Sequence, residues 1–308
     1  MSDLAALAAT IRAAPGLAAK RDLALVAERF VGVDGEDAAL LGDGLVVGGE
    51  AISPDLLTSD PFGAGAAAVV TNIADVRAMG ARALALVDTL VSPDRAHAAA
   101  VLDGLAWAAE LHGVPVVGGH LTIGAPAALS AFCAGRAETP LRAAAARPGD
   151  VLLAAFCLEG RYRSAAPFFT SLRDRSPAQL RDDGEALPEV AERRLCHAAR
   201  DVSMPGVAGS LLQLLELAAC GATLDLDRLP RPDGVPLERW LVTFPSFGFV
   251  LAAPAARADE ACAVFTARGL ACAECGAFDA TRTLRITAHG RTATVWDLAQ
   301  TPLTRLGR

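Results

Sequence analysis

The sequence predicts a two-domain protein mixing α and β structure: an N-terminal α/β domain over residues 1–141 and a C-terminal α+β domain over residues 148–308. Three observations predict it. The chain has 308 residues, more than one hydrophobic core usually serves. Short apolar runs alternate with helical patterns in both halves. An Ala/Arg stretch that ends in Arg147-Pro148-Gly149-Asp150 separates the halves and precedes a new apolar run.

In chain order, residues 1–31 give two Ala/Leu-rich helical segments broken at Pro15-Gly16. Residues 38–41 and 45–47 are short apolar runs between Gly and Asp, the pattern of strands joined by tight turns. A helix follows over residues 64–79, where Val69, Ile73, Val76 and Gly80 form one apolar stripe at i, i+4, i+7 and i+11. Asn72, Asp75 and Met79 share its second face, and a carboxylate with an amide there suits a hydrated cation or a phosphate. Residues 83–89 predict a strand, 94–112 an amphipathic helix stopped at Gly113, 114–117 a short strand ending in Gly118-Gly119-His120, and 127–138 another strand.

In the second half, residues 151–156 predict a buried strand and 189–200 a helix. A further helix spans 205–220, with Gly221 as its stop and Ser203 as its cap. Strands are expected at 223–226 and 248–253, a helix at 257–268, and a terminal hairpin of residues 283–287 and 292–296 turning at His289-Gly290.

Composition narrows the function. A net charge of −7 argues against nucleic acid as a partner. Lys20 is the only lysine, so side-chain contacts to phosphate must come from Arg or from a metal. No apolar run is long enough to span a membrane, and the N-terminus lacks the basic and apolar regions of a signal peptide. Seven scattered cysteines fit reduced thiols in the cytoplasm, and Cys272-x-x-Cys275 has no second pair to complete a zinc site.

Four polar clusters sit beside glycines at the ends of apolar elements: Gly35-Glu36-Asp37-Ala38-Ala39, Gly48-Gly49-Glu50, Asn72-x-x-Asp75, and Asp201-Val202-Ser203-Met204-Pro205-Gly206. Strand-end carboxylates beside glycine suit Mg²⁺, which takes oxygen ligands, keeps several waters and needs close backbone approach. Gly206 and Gly209 also bare the first turn of a helix, as an anion site does. There is no G-x-x-x-x-G-K-[ST] and no G-x-S-x-G, and Gly63-Ala-Gly65-x-x-Ala68 does not follow a hydrophobic strand, which disfavours a dinucleotide fingerprint.

At these residues the chain resembles the superfamily of AIR (aminoimidazole ribonucleotide) synthase, thiamine-monophosphate kinase, selenide water dikinase and the hydrogenase-maturation carbamoyl dehydratase, most closely its AIR synthase-related branch. Gly35-Glu-Asp-Ala-Ala39 resembles G-D-D-A-A. Residues 72–81 resemble N-x-x-D-x-x-A-M-G-A. Gly118-Gly119-His120-x-Thr122 is similar to G-G-[DNH]-T, Pro148-Gly149-Asp150 to an inter-domain P-G-D, and Asp201-x-Ser203 with Gly206 to D-x-S-x-G.

The resemblance implies an N-terminal domain that forms a dimeric β-barrel, hence a homodimer, and an ATP site in the cleft between domains and subunits. It implies that Asp37, Asp75, Asp201 and Glu50 hold Mg²⁺, and that Asn72, Gly118, Gly119, Ser203 and Gly206 line the cofactor pocket. His120 is its candidate for proton transfer. The expected activity is ATP- and Mg²⁺-dependent phosphoryl transfer to a small-molecule substrate. The alternatives are thiamine-monophosphate kinase itself and a non-catalytic, ligand-binding dimer. Three departures bear on the choice: Glu36 replaces the first Asp of G-D-D, His120 replaces the Asp of thiamine-monophosphate kinase, and no cysteine precedes Cys133.

Overall fold

The computed structural model describes residues 4–30, 32–163 and 167–306. The chain divides into two compact units. One consists of Asp37–Pro140 and Leu172–Pro188, the other of Met1–Glu36, Leu141–Ser171 and Glu189–Arg308. This division departs from a single boundary near residue 148. The first helices belong with the C-terminal half because Leu4, Leu7, Ala8, Ile11 and Leu17 bury themselves in its core. Leu172 and Leu180 bury themselves in the core of the N-terminal half.

The first unit carries a five-stranded sheet: β1 (Ala39–Leu40), β2 (Leu45–Ala51), β3 (Arg82–Ser92), β4 (Val116–Ile123) and β5 (Ala128–Arg136), in the spatial order β1-β2-β5-β3-β4. Only β3 and β4 pair in parallel, as the intervening helix Arg95–His112 requires. The sheet is open; no closed barrel is seen among the described residues.

Helix Pro61–Ala78 starts three residues earlier than its periodicity suggests. Pro61 takes the first turn, and the Asp60 side chain accepts a hydrogen bond from the Gly63 N–H at 2.8 Å. Asp94 caps Arg95–His112 through the His97 N–H, and Gly113 closes that helix in the left-handed conformation at φ 69°. The two helices meet backbone to backbone. A Cβ on Gly65 would lie 2.0 Å from the Val101 carbonyl oxygen, and one on Gly104 would lie 1.9 Å from that of Phe62. Their joint inner surface buries Val69, Ile73, Val76, Val101 and Leu105 against Leu86, Leu90, Leu129 and Cys133 of the sheet.

β4 overturns one expectation. The strand predicted to end before Gly118-Gly119-His120 instead starts at Val116 and runs through those residues to Ile123. Two glycines are poor strand formers locally. Here parallel pairing of Val87–Ser92 with Gly118–Ile123 carries them into the ladder.

The second unit is built on a seven-stranded sheet. Its spatial order is Arg291–Asp297, Thr283–Ala288, Gly221–Asp225, Ala271–Asp279, Val151–Phe156, Gly248–Ala253 and Ala198–Asp201. Val151–Phe156, Gly248–Ala253 and the terminal hairpin lie where the sequence puts them. Cys272 and Cys275 lie within a strand.

The helix expected over residues 189–200 is corrected: helix Ala186–Glu192 stops early, and Ala198–Asp201 pairs with Gly248–Ala253 as an edge strand. Ala and Arg favour helix on their own, and sheet pairing overrides them. The next helix, Gly206–Ala218, ends on Ala219 at φ 53°, while Gly221 opens a strand. All seven cysteines are free thiols, and among the described residues no helix is long and apolar enough to cross a membrane.

Candidate functional site

Within the first unit, β1 pairs antiparallel with β2 so that Ala39 faces Val47. Gly48 is the next residue of β2. A Cβ there would lie 3.2 Å from the Ala38 Cβ, a tight contact, and 3.6 Å from the Asp75 Cβ, an ordinary one, so β2 runs close to both residues. That close approach brings Asp37 and Asp75 together: each offers a carboxylate oxygen, and these lie within 4.8 Å of one another. Asp75 is buried and Asp37 half-buried.

Asn72, one turn earlier, is fully buried. Its Oδ1 accepts the Glu50 N–H at 3.1 Å, and its Nδ2 donates to the Ala68 carbonyl at 2.8 Å. The amide therefore pins the end of β2, and so positions Glu50, by engaging both of its ends with protein groups.

Strand register extends the acidic site. Glu50 pairs with Ala131, Ala131 with Asp88, and Asp88 with Gly119. Directly paired residues share a face, so Glu50 and Asp88 lie in one row with only Ala131 between them. Asp88 is 8% exposed, and burial raises its carboxyl above the usual carboxylate range. A Cβ on Gly119 would lie 2.3 Å from Asp88 Oδ1; the glycine is needed for the carboxyl to sit there. The sequence reading missed Asp88. Its signal is a single acid in the inward phase of β3, between Leu86, Leu90 and Ser92, all buried.

The register separates His120 from this row. His120 pairs with Thr89, on the alternate phase, and so projects from the opposite face of the sheet to Asp88. Its Nε2 lies 3.2 Å from Thr122 Oγ1. On the same outer face, Phe132 pairs with Val87 beside Gly49, leaving Phe132 and Val87 exposed.

Glu36 is also reassigned. Its carboxylate accepts the N–H groups of Ala143 at 2.7 Å and Ala144 at 3.2 Å, and Arg142 lies 3.5 Å away. It ties down the short turn Ala143–Ala145.

In the second unit, Asp201 ends the edge strand Ala198–Asp201 and is buried. Its neighbour Arg200 donates to the Gly35 carbonyl at 3.1 Å. Ser203 does not cap the following helix: its own N–H donates to Ser210 Oγ at 3.1 Å, and Pro205 occupies the cap position. Gly206 has φ +67°, and a Cβ there would lie 2.1 Å from the Leu241 carbonyl oxygen. Close packing and backbone conformation thus account for Gly206 without a ligand.

Comparison with known proteins bears on both units. Residues 35–137 match the family described as AIR synthase related protein, N-terminal domain, and residues 168–289 match its C-terminal domain. The chain is 34% identical to an uncharacterized protein of Synechocystis sp. over 94% of each chain. It is 30% identical to the thiamine-monophosphate kinase of Halobacterium salinarum over 74% of this chain and 82% of that one. Among solved structures, Thermotoga maritima PurL complexed with ATP matches 85% of this chain and 45% of its own at a TM-score of 0.71 and 24% identity, a likeness of fold. The chain thus spans about half of that PurL chain.

Proposed function

We propose that this chain, which belongs to the AIR synthase-related family, is an ATP- and Mg²⁺-dependent enzyme that activates a small-molecule substrate by phosphoryl transfer. The observation that carries the proposal is the approach of Asp37 and Asp75 to within 4.8 Å, close to Gly48 of β2. Two carboxylates so placed, beside Glu50, are the oxygen-rich donor set that Mg²⁺ takes.

Asp201 is proposed as the third ligand. Gly35, two residues before Asp37, is held by Arg200, the residue before Asp201. Asp88 adds a further buried carboxyl to the Glu50 row, where it would orient bound water or substrate. Bound Mg²⁺ supplies charge neutralisation at the phosphate oxygens, and the rest of such a reaction is mostly positioning. Asn72 fixes Glu50. Gly118 leaves backbone open at the exposed strand β4, and Gly119 leaves room for the Asp88 carboxyl. Ser203 and Gly206 shape the turn after Asp201. His120, on the other face of the sheet, is proposed only as a contact to groups that approach that face.

A second copy of the chain is proposed to cover that outer face. Phe132 and Val87 are exposed there at 42% and 40%, and β4 is an edge strand. Exposed apolar sheet faces and open edges are normally covered. The free thiols fit a cytoplasmic location.

The test is Asp75→Asn. Calorimetry with a non-hydrolysable ATP analogue should show Mg²⁺-dependent binding to the wild type and none to the variant; unchanged binding removes the metal role. ADP release in the presence of candidate substrates separates an enzyme from a non-catalytic relative. Thiamine monophosphate is the first substrate to try, given the Halobacterium relative.

A further inference from the structure

A second polar site lies in the first unit, on the other side of the helix that carries Asp75. Arg77 is two residues further on, about 200° around the helix axis, and so faces away from the acidic seam. It lines a cavity of about 270 Å³ together with Arg82, His112, Arg181, Gly184 and Glu185. Water occupies about 30 Å³ in the liquid, so a tetrahedral oxyanion and several waters fit.

Positive groups outnumber negative ones in its lining. Three guanidinium groups face one carboxylate, and Glu185 already accepts from Arg82 Nε at 2.7 Å. Asp183 also attracts Arg77, and it is held by Arg175 through two hydrogen bonds of 2.7 Å. Arg181 donates to the Glu110 carbonyl at 2.8 Å, which fixes its head at the end of helix Arg95–His112.

His112 points the same way. It is 92% buried, and among the described residues neither ring nitrogen has a hydrogen-bond partner. The Leu180 backbone favours the protonated ring without reaching hydrogen-bond geometry. Burial, Arg77 and Arg181 all oppose a charge on the ring, so it stays neutral and can donate one N–H. A buried polar ring left without a partner is costly, and several like charges in one cavity add to the cost. A ligand carrying negative charge and several acceptor oxygens relieves both.

We infer that this cavity is a binding site for a compact tetrahedral oxyanion, inorganic phosphate or sulfate, held by Arg77, Arg82, Arg181 and His112. Guanidinium forks match such oxygens with paired, charge-assisted hydrogen bonds. The site is separate from the proposed nucleotide site, because Asp75 and Arg77 leave the helix on opposite sides.

The test is titration of the full chain with phosphate, with chloride at matched ionic strength as the control, following the His112 ring by NMR. Phosphate should shift the ring resonances saturably, and chloride should not. Arg181→Gln, on the open side of the cavity, should weaken phosphate at least tenfold while the circular dichroism spectrum stays as in the wild type. Arg77→Gln should do the same if it folds, and the proposal stands on Arg181→Gln if it does not. Asp75→Asn should leave phosphate binding intact. The proposal is overturned if phosphate shifts His112 no more than chloride does. It is equally overturned if Asp75→Asn abolishes the shift while Arg181→Gln keeps it, which would assign the phosphate to the nucleotide site.

Discussion

Replacing Asp37 with asparagine should make the ion-free protein more stable while removing its response to Mg²⁺. The structure sets the magnitude. Carboxylate oxygens of Asp37 and Asp75 lie within 4.8 Å of one another. Two unit charges at that distance repel by roughly 3.5 kcal/mol at an effective dielectric of about 20, and by roughly 1 kcal/mol in bulk water. With one group buried and the other half-buried, the gain on neutralising Asp37 falls between these limits. Asparagine keeps the shape, so packing should change little. A gain of about 2 kcal/mol moves the melting temperature of a domain this size upward by several degrees. The assay is thermal unfolding in chelator and again in millimolar Mg²⁺. The wild type should be the less stable protein in chelator and should gain from the ion, as any protein does whose folded state alone binds the ligand. The variant should start higher and gain nothing. A variant less stable than the wild type in chelator, with an equal response to Mg²⁺, would refute the reasoning.

Gly104→Ala should destabilise the protein by about 2 kcal/mol in urea unfolding, although alanine is about 1 kcal/mol the better helix former; the reason is the Phe62 carbonyl oxygen 1.9 Å from the new Cβ. His112 should impose an acid limit on stability. Its pKa is lowered in the folded chain from 6.5 to about 3, so the unfolded chain binds the extra proton between those values. Stability should therefore fall as pH drops through that window, by at most about 1.4 kcal/mol per pH unit from this group. His112→Gln should flatten that slope, and an unchanged slope would assign the effect to other groups. For the proposed dimer, Phe132→Asp on the outer sheet face should shift the protein to monomer in sedimentation; an unaltered dimer would place the interface elsewhere, and a monomeric wild type would refute the proposal.

What could be read in advance was the chemistry written locally. Asn72 and Asp75 are one turn apart on a small-residue helix, and Asp37 and Asp201 stand beside strand ends, so spacing alone singles them out. What escaped depends on partners distant along the chain. Asp88 has no glycine beside it, and only the register of β3 against β5 places it in the Glu50 row. Gly118-Gly119 looks like a strand end until parallel pairing with β3 carries it onward, and that pairing also fixes which face His120 takes. Glu36 reads as half of an acidic pair, yet the N–H groups it accepts lie more than a hundred residues away. Residues 198–201 favour helix alone and become strand because Gly248–Ala253 lies alongside.

The seam between helices Pro61–Ala78 and Arg95–His112 has no slack. Gly65 meets Val101, Gly104 meets Phe62, and in each case the obstacle is a main-chain oxygen. An enlargement at one of these positions has no reciprocal trimming available at the other, since neither has a side chain left to lose. Directed evolution of this protein should therefore find its gains elsewhere, with this pair of crossings inherited unaltered from parent to offspring.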